Sequence, residues 1–177
     1  MSASDRPPVE PGQPPRLVLR VINPVLSALL RSPLHRPLSK QFVLLTVAGR
    51  KSARAYTIPV GRHESEGTLV VYAAGSWRRN LRGGAPVSLM LDGRKRAGYA
   101  EFEEDPDRVA QAYKAELDRL GVGNARLLGL KVNIGRSPTA DEIKPAIAQR
   151  GIATIRLTDE SQTEPLVPDP QRREFDK

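Results

Sequence analysis

Six short runs of the chain have the apolar pattern of strands: FVLLTVA (42–48), YTIPVG (56–61), TLVVYAA (68–74), PVSLML (86–91), RAGYAEFE (96–103) and GIATIRLT (151–158). Each is rich in Val, Leu, Ile or Tyr, and Gly or charged residues separate them, as turns between strands require. Five of the six fall within about sixty residues, which leaves no room for crossover helices and predicts antiparallel pairing.

The period then changes. In DPDRVAQAYKAELDRLG, Val109, Tyr113, Leu117 and Leu120 recur at helical spacing, with Asp105 as N-cap, Pro106 opening the helix and Gly121 stopping it. Thr139 and Glu142 have the spacing of a capping box for a second short helix, which Pro145 should kink or divide. Near the start, Asn23 and Pro24 read as N-cap and first position of a helix ending at about Arg31, with Val25, Leu26, Leu29 and Leu30 on its apolar side. Six strands with a helix before the last predict an α+β fold, a small barrel of mostly antiparallel strands flanked by helices.

Composition sets the limits of this domain. At 177 residues, with 39% apolar and 27% charged residues, the chain suits one core, assigned here to residues 16–158. Residues 1–15 hold five prolines and few apolar side chains, and 159–177 hold six acids against three cations; both read as mobile tails. Residues 1–15 also lack the apolar core of a secretory signal, and the stretch after them is broken by Arg20, Asn23 and Pro24 within fewer than the ~20 residues of a membrane span. With no cysteine, thiolate chemistry and disulfides are excluded, a composition compatible with the cytoplasm. The two histidines, His35 and His63, lack metal-ligand spacing and read as surface or interface residues.

The net charge of +8 changes the picture, because it predicts an anionic partner. Between the first two strands, Gly49-Arg50-Lys51-Ser52-Ala53-Arg54 offers a turn glycine, a guanidinium fork, an ammonium and a hydroxyl, the groups that grip phosphate oxygens. It is not a Walker loop, since the flanking glycines and following helix are missing. After the third strand, GSWRRNLRGGAPV holds the only tryptophan, Trp77, with Asn80 and Leu81 three and four residues on, so one helical turn would place an aromatic plane and an amide together.

The ordered set (GRKS, Ile58-Pro59-Val60, an apolar third strand, W-x-x-N-L-R, then Gly84-Ala85-Pro86-Val87) resembles the deazaflavin (F420)-dependent nitroreductase family over roughly residues 20–158. The resemblance implies the flavin-type split β-barrel and coenzyme F420. It implies that Arg50, Lys51 and Ser52 contact the anionic tail of the cofactor, that Pro59 and Val60 lie against its ring system, and that Ala74, Gly75, Trp77, Asn80 and Leu81 complete the ring pocket. The implied activity is hydride transfer from reduced deazaflavin to a small-molecule acceptor such as a quinone, enone or nitro compound, by a monomer or homodimer. The chain departs from the family in carrying Trp77-Arg78-Arg79-Asn80 where many relatives have two adjacent aromatics, and Ala53 where glycine is common.

Other readings stay open at this point. Arg78, Arg79, Arg82, Arg94, Lys95 and Arg96 would serve as the patch of a basic module for nucleic acid or an anionic membrane, although recognised nucleic-acid motifs are missing, so no specific nucleic acid is expected. A split barrel could also hold FMN, haem or a lipid. The arginine-flanked helix within residues 16–36 could lie on a membrane.

Overall fold

The computed structural model describes residues 6–12, 16–50, 54–65 and 67–158. Its strands are β1 (Val9–Pro11), β2 (Phe42–Ala48), β3 (Ala55–Gly61), β4 (His63–Ser65), β5 (Thr68–Ala74), β6 (Ala85–Leu91), β7 (Arg94–Glu103), β8 (Leu130–Val132) and β9 (Arg150–Leu157). The helices are α1 (Arg16–Arg31), α2 (Arg36–Ser39), α3 (Pro106–Leu120) and α4 (Ala140–Ile147), with a 3-10 turn at Ser76–Leu81.

All six expected strands form, and every pairing among them is antiparallel. Seven strands make one sheet in the order β3-β2-β6-β7-β9-β5-β4. Its two ends are consecutive in sequence. The segment 55–65 bends at Arg62, so that β3 pairs with β2 and β4 pairs with β5, which curls the sheet into a barrel. Beyond the bend β3 and β5 lie side by side, but no ladder joins Ala55–Gly61 to Val71–Ala74 among the described residues. That unpaired stretch is the split.

Period-two alternation sorts the strands between two cores. Val43, Leu45 and Val47 of β2, Leu69, Val71 and Ala73 of β5, and Ala153 and Ile155 of β9 fill the barrel with Val87, Leu89 and Leu81. The opposite face of β5 and β9 presents Val70, Tyr72 and Ile152 to a second core, made with Val109, Tyr113 and Leu117 of α3 and Ile143 of α4.

The helix signals hold where they are local. Asp105 accepts from the N–H groups of Asp107 and Arg108, and Gly121, at φ 82°, ends α3. Thr139 and Glu142 form the capping box of α4, and Arg136 together with the Thr139 N–H lowers the Glu142 pKa to about 2.

Three expectations are corrected. Pro145 lies inside α4, so of the kink or division expected of it the division does not occur; it sits on the exposed side, where solvent can take the carbonyl bond its missing N–H leaves. Helix α1 begins at Arg16 rather than at an Asn23 cap, with Pro24 internal and exposed. Of its apolar residues Leu30 is buried, whereas Val25 and Leu29 face outward. The tail assigned to residues 1–15 contains an ordered strand: Val9–Pro11 pairs with β8, and Val9 is 2% exposed in the second core. The Gly12 N–H donates to the Gly129 carbonyl, and the Asn133 side chain to the Pro7 carbonyl. The partners lie more than a hundred residues away, so nothing local announces this strand. Residues 1–5 and 159–177 lie outside the described residues.

Candidate functional site

The two motif-bearing turns meet at one end of the split. The Gly49 N–H donates to the Arg54 carbonyl at 2.8 Å, closing the cationic turn between β2 and β3. Next to it, the Arg50 N–H donates to Asn80 Oδ1 and an Arg50 guanidinium N–H to the Arg82 carbonyl, both at 3.3 Å. Residues thirty positions apart are thereby fastened together, with the Arg50 side chain exposed over the end of the 3-10 turn. Lys51, Ser52 and Ala53 lie outside the described residues.

Ala74 closes β5 opposite Arg150, and Gly75 follows at φ 91° and ψ 174°, a conformation open essentially to glycine alone. The chain therefore breaks sharply from strand into turn. Leu81 is fully buried in the barrel core and Trp77 is packed against it, while Asn80 faces Arg50. Leu81 thus seats the turn from beneath and presents no surface to a ligand. A second tether runs from Arg78 Nε to the Gln149 carbonyl at 2.8 Å, and a third from Arg82 to Glu104 at 2.9 Å.

On β3, Pro59 and Val60 point to opposite faces, as neighbours on a strand must. Val60 lies opposite Val43 and packs with Ile58 on the barrel core, whereas Pro59 lies opposite Leu44 on the outer face. Proline is accommodated because β3 is an end strand, with no ladder partner on one edge among the described residues. Only Val60 of the pair can line the barrel interior. Ile58, Val60 and Trp77 thus pack, partly buried, on one barrel core, Arg50 stands exposed beside Asn80, and among the described residues no ladder joins β3 to β5 along the split.

The other end of the barrel carries a polar cluster that sequence reading missed. Arg62 at the bend donates to Glu64, to Asp92 at 2.9 Å and to the Ser39 carbonyl at 2.9 Å; burial works to lower its pKa, but the Glu64 and Asp92 carboxylates together raise it. Next to it His63 Nδ1 lies 2.9 Å from Glu116 of α3, and its ring meets Tyr72 edge-on at 5.0 Å. His63 therefore ties β4 to α3 rather than standing free at the surface. Lys40, Arg62, His63, Glu64, Asp92 and Arg119 line an open, polar cavity of about 430 Å³. It lacks the apolar wall that would hold a ring.

The Arg119 hydrogen bonds, with burial opposing and His63 assisting, hold the Glu116 carboxyl below its ordinary range. A depressed carboxylate pKa contributes stability that is present above the unfolded-state value and is lost as pH falls through the folded-state value. Wild type is therefore expected to lose stability on acidification below the ordinary glutamate range more steeply than Glu116→Gln, measured by urea unfolding at a series of pH values. Parallel curves for the two proteins would remove this role from Glu116.

No family model and no curated protein matches the chain. Among solved structures, one described as an F420-H2 dependent reductase (FDR-A) is 18% identical, with 66% of this chain and 95% of that chain covered and a TM-score of 0.43. Another, described as a domain-swapped dimer, is 17% identical over 73% of this chain and 98% of that one, with a TM-score of 0.42. A third, described as an F420 reductase, is 16% identical over 68% and 88%, with a TM-score of 0.36. Overlap this slight carries no inference about what the chain binds.

Proposed function

We propose that the protein binds coenzyme F420 at the split of its barrel and transfers a hydride between the bound deazaflavin and a quinone, enone or nitro-type acceptor. The observation that carries this reading is the junction of Arg50 with Asn80, because it sets a cationic turn beside the turn of Trp77, whose ring packs on the apolar barrel core. A redox molecule with a flat ring and a phosphodiester-glutamate tail needs that combination: apolar walls for the ring and charge-assisted donors for the tail.

When bound, the deazaflavin supplies the hydride chemistry; the chain supplies binding, orientation and exclusion of water. Arg50, Lys51 and Ser52 are assigned to the anionic tail. Trp77 and Val60, with the backbone at Ala74 and Gly75, are assigned to the ring, and Asn80 holds the two turns in register. Pro59 shapes the rim from the outer side and Leu81 anchors the turn.

The reading as a nucleic-acid module loses its patch to the geometry. Arg78 and Arg82 sit at the Trp77 end, bonded to the Gln149 carbonyl and Glu104, while Arg94 and Lys95 sit at the opposite end of the β6–β7 hairpin, roughly 20 Å away along a seven-residue strand. Titration of the purified protein with F420, FMN and haem, followed by quenching of Trp77 fluorescence and by absorbance, tests the proposal. F420 is expected to bind tightest, and Lys51→Ala to weaken it about tenfold. Preference for FMN or haem, or indifference of F420 binding to Lys51→Ala, would overturn it.

A further inference from the structure

We propose that the barrel end opposite Trp77 is a docking surface for an anionic phospholipid bilayer, formed jointly by the C-terminal half of α1, the segment Arg31–Lys40 and the tip of the β6–β7 hairpin. This does not depend on the cofactor assignment.

The apolar part is on α1. Leu30 points into the protein at 2% exposure, whereas Val25 and Leu29, four residues apart and so on one helical face, are 55% and 36% exposed. Two large aliphatic side chains stacked on an outer helix face add apolar surface where a soluble helix normally places charge.

The cationic part comes from separate pieces of the chain. Residues 16–40 contain five cations and no acid. Of these, Arg31, Arg36 and Lys40 are exposed, at the end of α1, at the start of α2 and just after α2. This segment is packed on the hairpin tip: the His35 ring fills the space beside Gly93, where an added Cβ would meet Nε2 at 2.6 Å. Arg62 bridges the Ser39 carbonyl and Asp92. Arg94 and Lys95, both exposed, follow directly. The nearby acids Glu64 and Asp92 are both bonded to Arg62, so they do little to offset the five exposed cations.

Charge complementarity selects the occupant. Cations on segments that adjoin a helix with exposed aliphatic residues match a bilayer whose headgroups are anionic and whose interior accepts Val and Leu; each basic residue near such a surface adds to the attraction, and the buried aliphatic carbons add the rest. Duplex nucleic acid would use the cations and leave Val25 and Leu29 in water. No helix among the described residues is long and apolar enough to cross a membrane, so the contact is one of lying on the surface.

The test is flotation of the full chain with vesicles of phosphatidylcholine alone and of phosphatidylcholine with phosphatidylglycerol. Binding is expected only with the anionic lipid, and it should fall about tenfold for Leu29→Asp, about tenfold for the double variant Arg94→Glu/Lys95→Glu, and strongly between about 0.1 and 0.5 M salt. Leu29→Ala serves where the aspartate variant unfolds, and circular dichroism checks each protein. No flotation with phosphatidylglycerol, or flotation unchanged by the hairpin variant, would overturn the surface as drawn. Duplex DNA binding at least as tight as vesicle binding and insensitive to Leu29→Ala would assign the cations to nucleic acid and overturn it as well.

Discussion

Arg150→Ala is expected to lower the free energy of unfolding by about 3 kcal/mol, the largest single effect of any charged residue described above. Arg150 is 8% exposed, yet no carboxylate pairs with it among the described contacts. Its guanidinium donates to the carbonyls of Leu128 and Gly129 at 2.8 and 2.7 Å and stands over the Tyr113 ring at 5.9 Å. Truncation removes two charge-assisted hydrogen bonds at once. The Gly129 carbonyl keeps the Gly12 N–H, but the Leu128 carbonyl loses the partner described for it. An ammonium cannot span both carbonyls as a planar fork does, so Arg150→Lys should recover less than half of the loss. Urea unfolding should show a lower midpoint with an unchanged slope. A midpoint within error of wild type for Arg150→Ala would mean that the β8–β9 junction does not depend on this residue.

The second large effect concerns binding. Arg50→Ala should weaken F420 binding about ten- to a hundredfold, the range of one lost charge-assisted contact of roughly 1.5 to 3 kcal/mol. The side chain is exposed, and its guanidinium bond to the Arg82 carbonyl is long, so the same variant should change stability by no more than about 0.5 kcal/mol. The contrast between the two measurements is informative, because a residue that merely held the turns together would lose stability along with affinity. Arg50→Lys keeps the charge but cannot reach tail and carbonyl together, and should fall between alanine and wild type. If Arg50→Ala binds F420 as wild type does, the cationic turn has no part in seating the cofactor.

The elements that could be read from sequence share one property: their signal is carried by neighbours in the chain. Period-two runs bounded by glycine gave each barrel strand, and a cap, a proline and a four-residue apolar rhythm gave α3 at both ends. What could not be read depends on distant partners. Val9 is one apolar residue among prolines, and its burial follows from Leu130 and its neighbours arriving beside it. Arg150 reads as a charge before an apolar strand until the Leu128–Gly129 carbonyls are placed against it. His63 looks solitary because Glu116 is fifty-three positions away. At the candidate site the two turns were legible as motifs. Their contact was not, and neither was the division of Pro59 and Val60 between faces, which follows only once the register with Leu44 and Val43 is known.

The place of β9 has a consequence for how the protein is made. It lies between β5 and β7, pairing Leu69–Ala74 on one side and Gly98–Glu103 on the other. On a ribosome, the other six strands of this sheet emerge first, with two sticky borders facing each other across a missing stave. The nascent chain must keep those borders apart from other polypeptides until Leu157 has cleared the exit tunnel, which makes premature termination ahead of Arg150 a route to aggregates rather than to a smaller working protein.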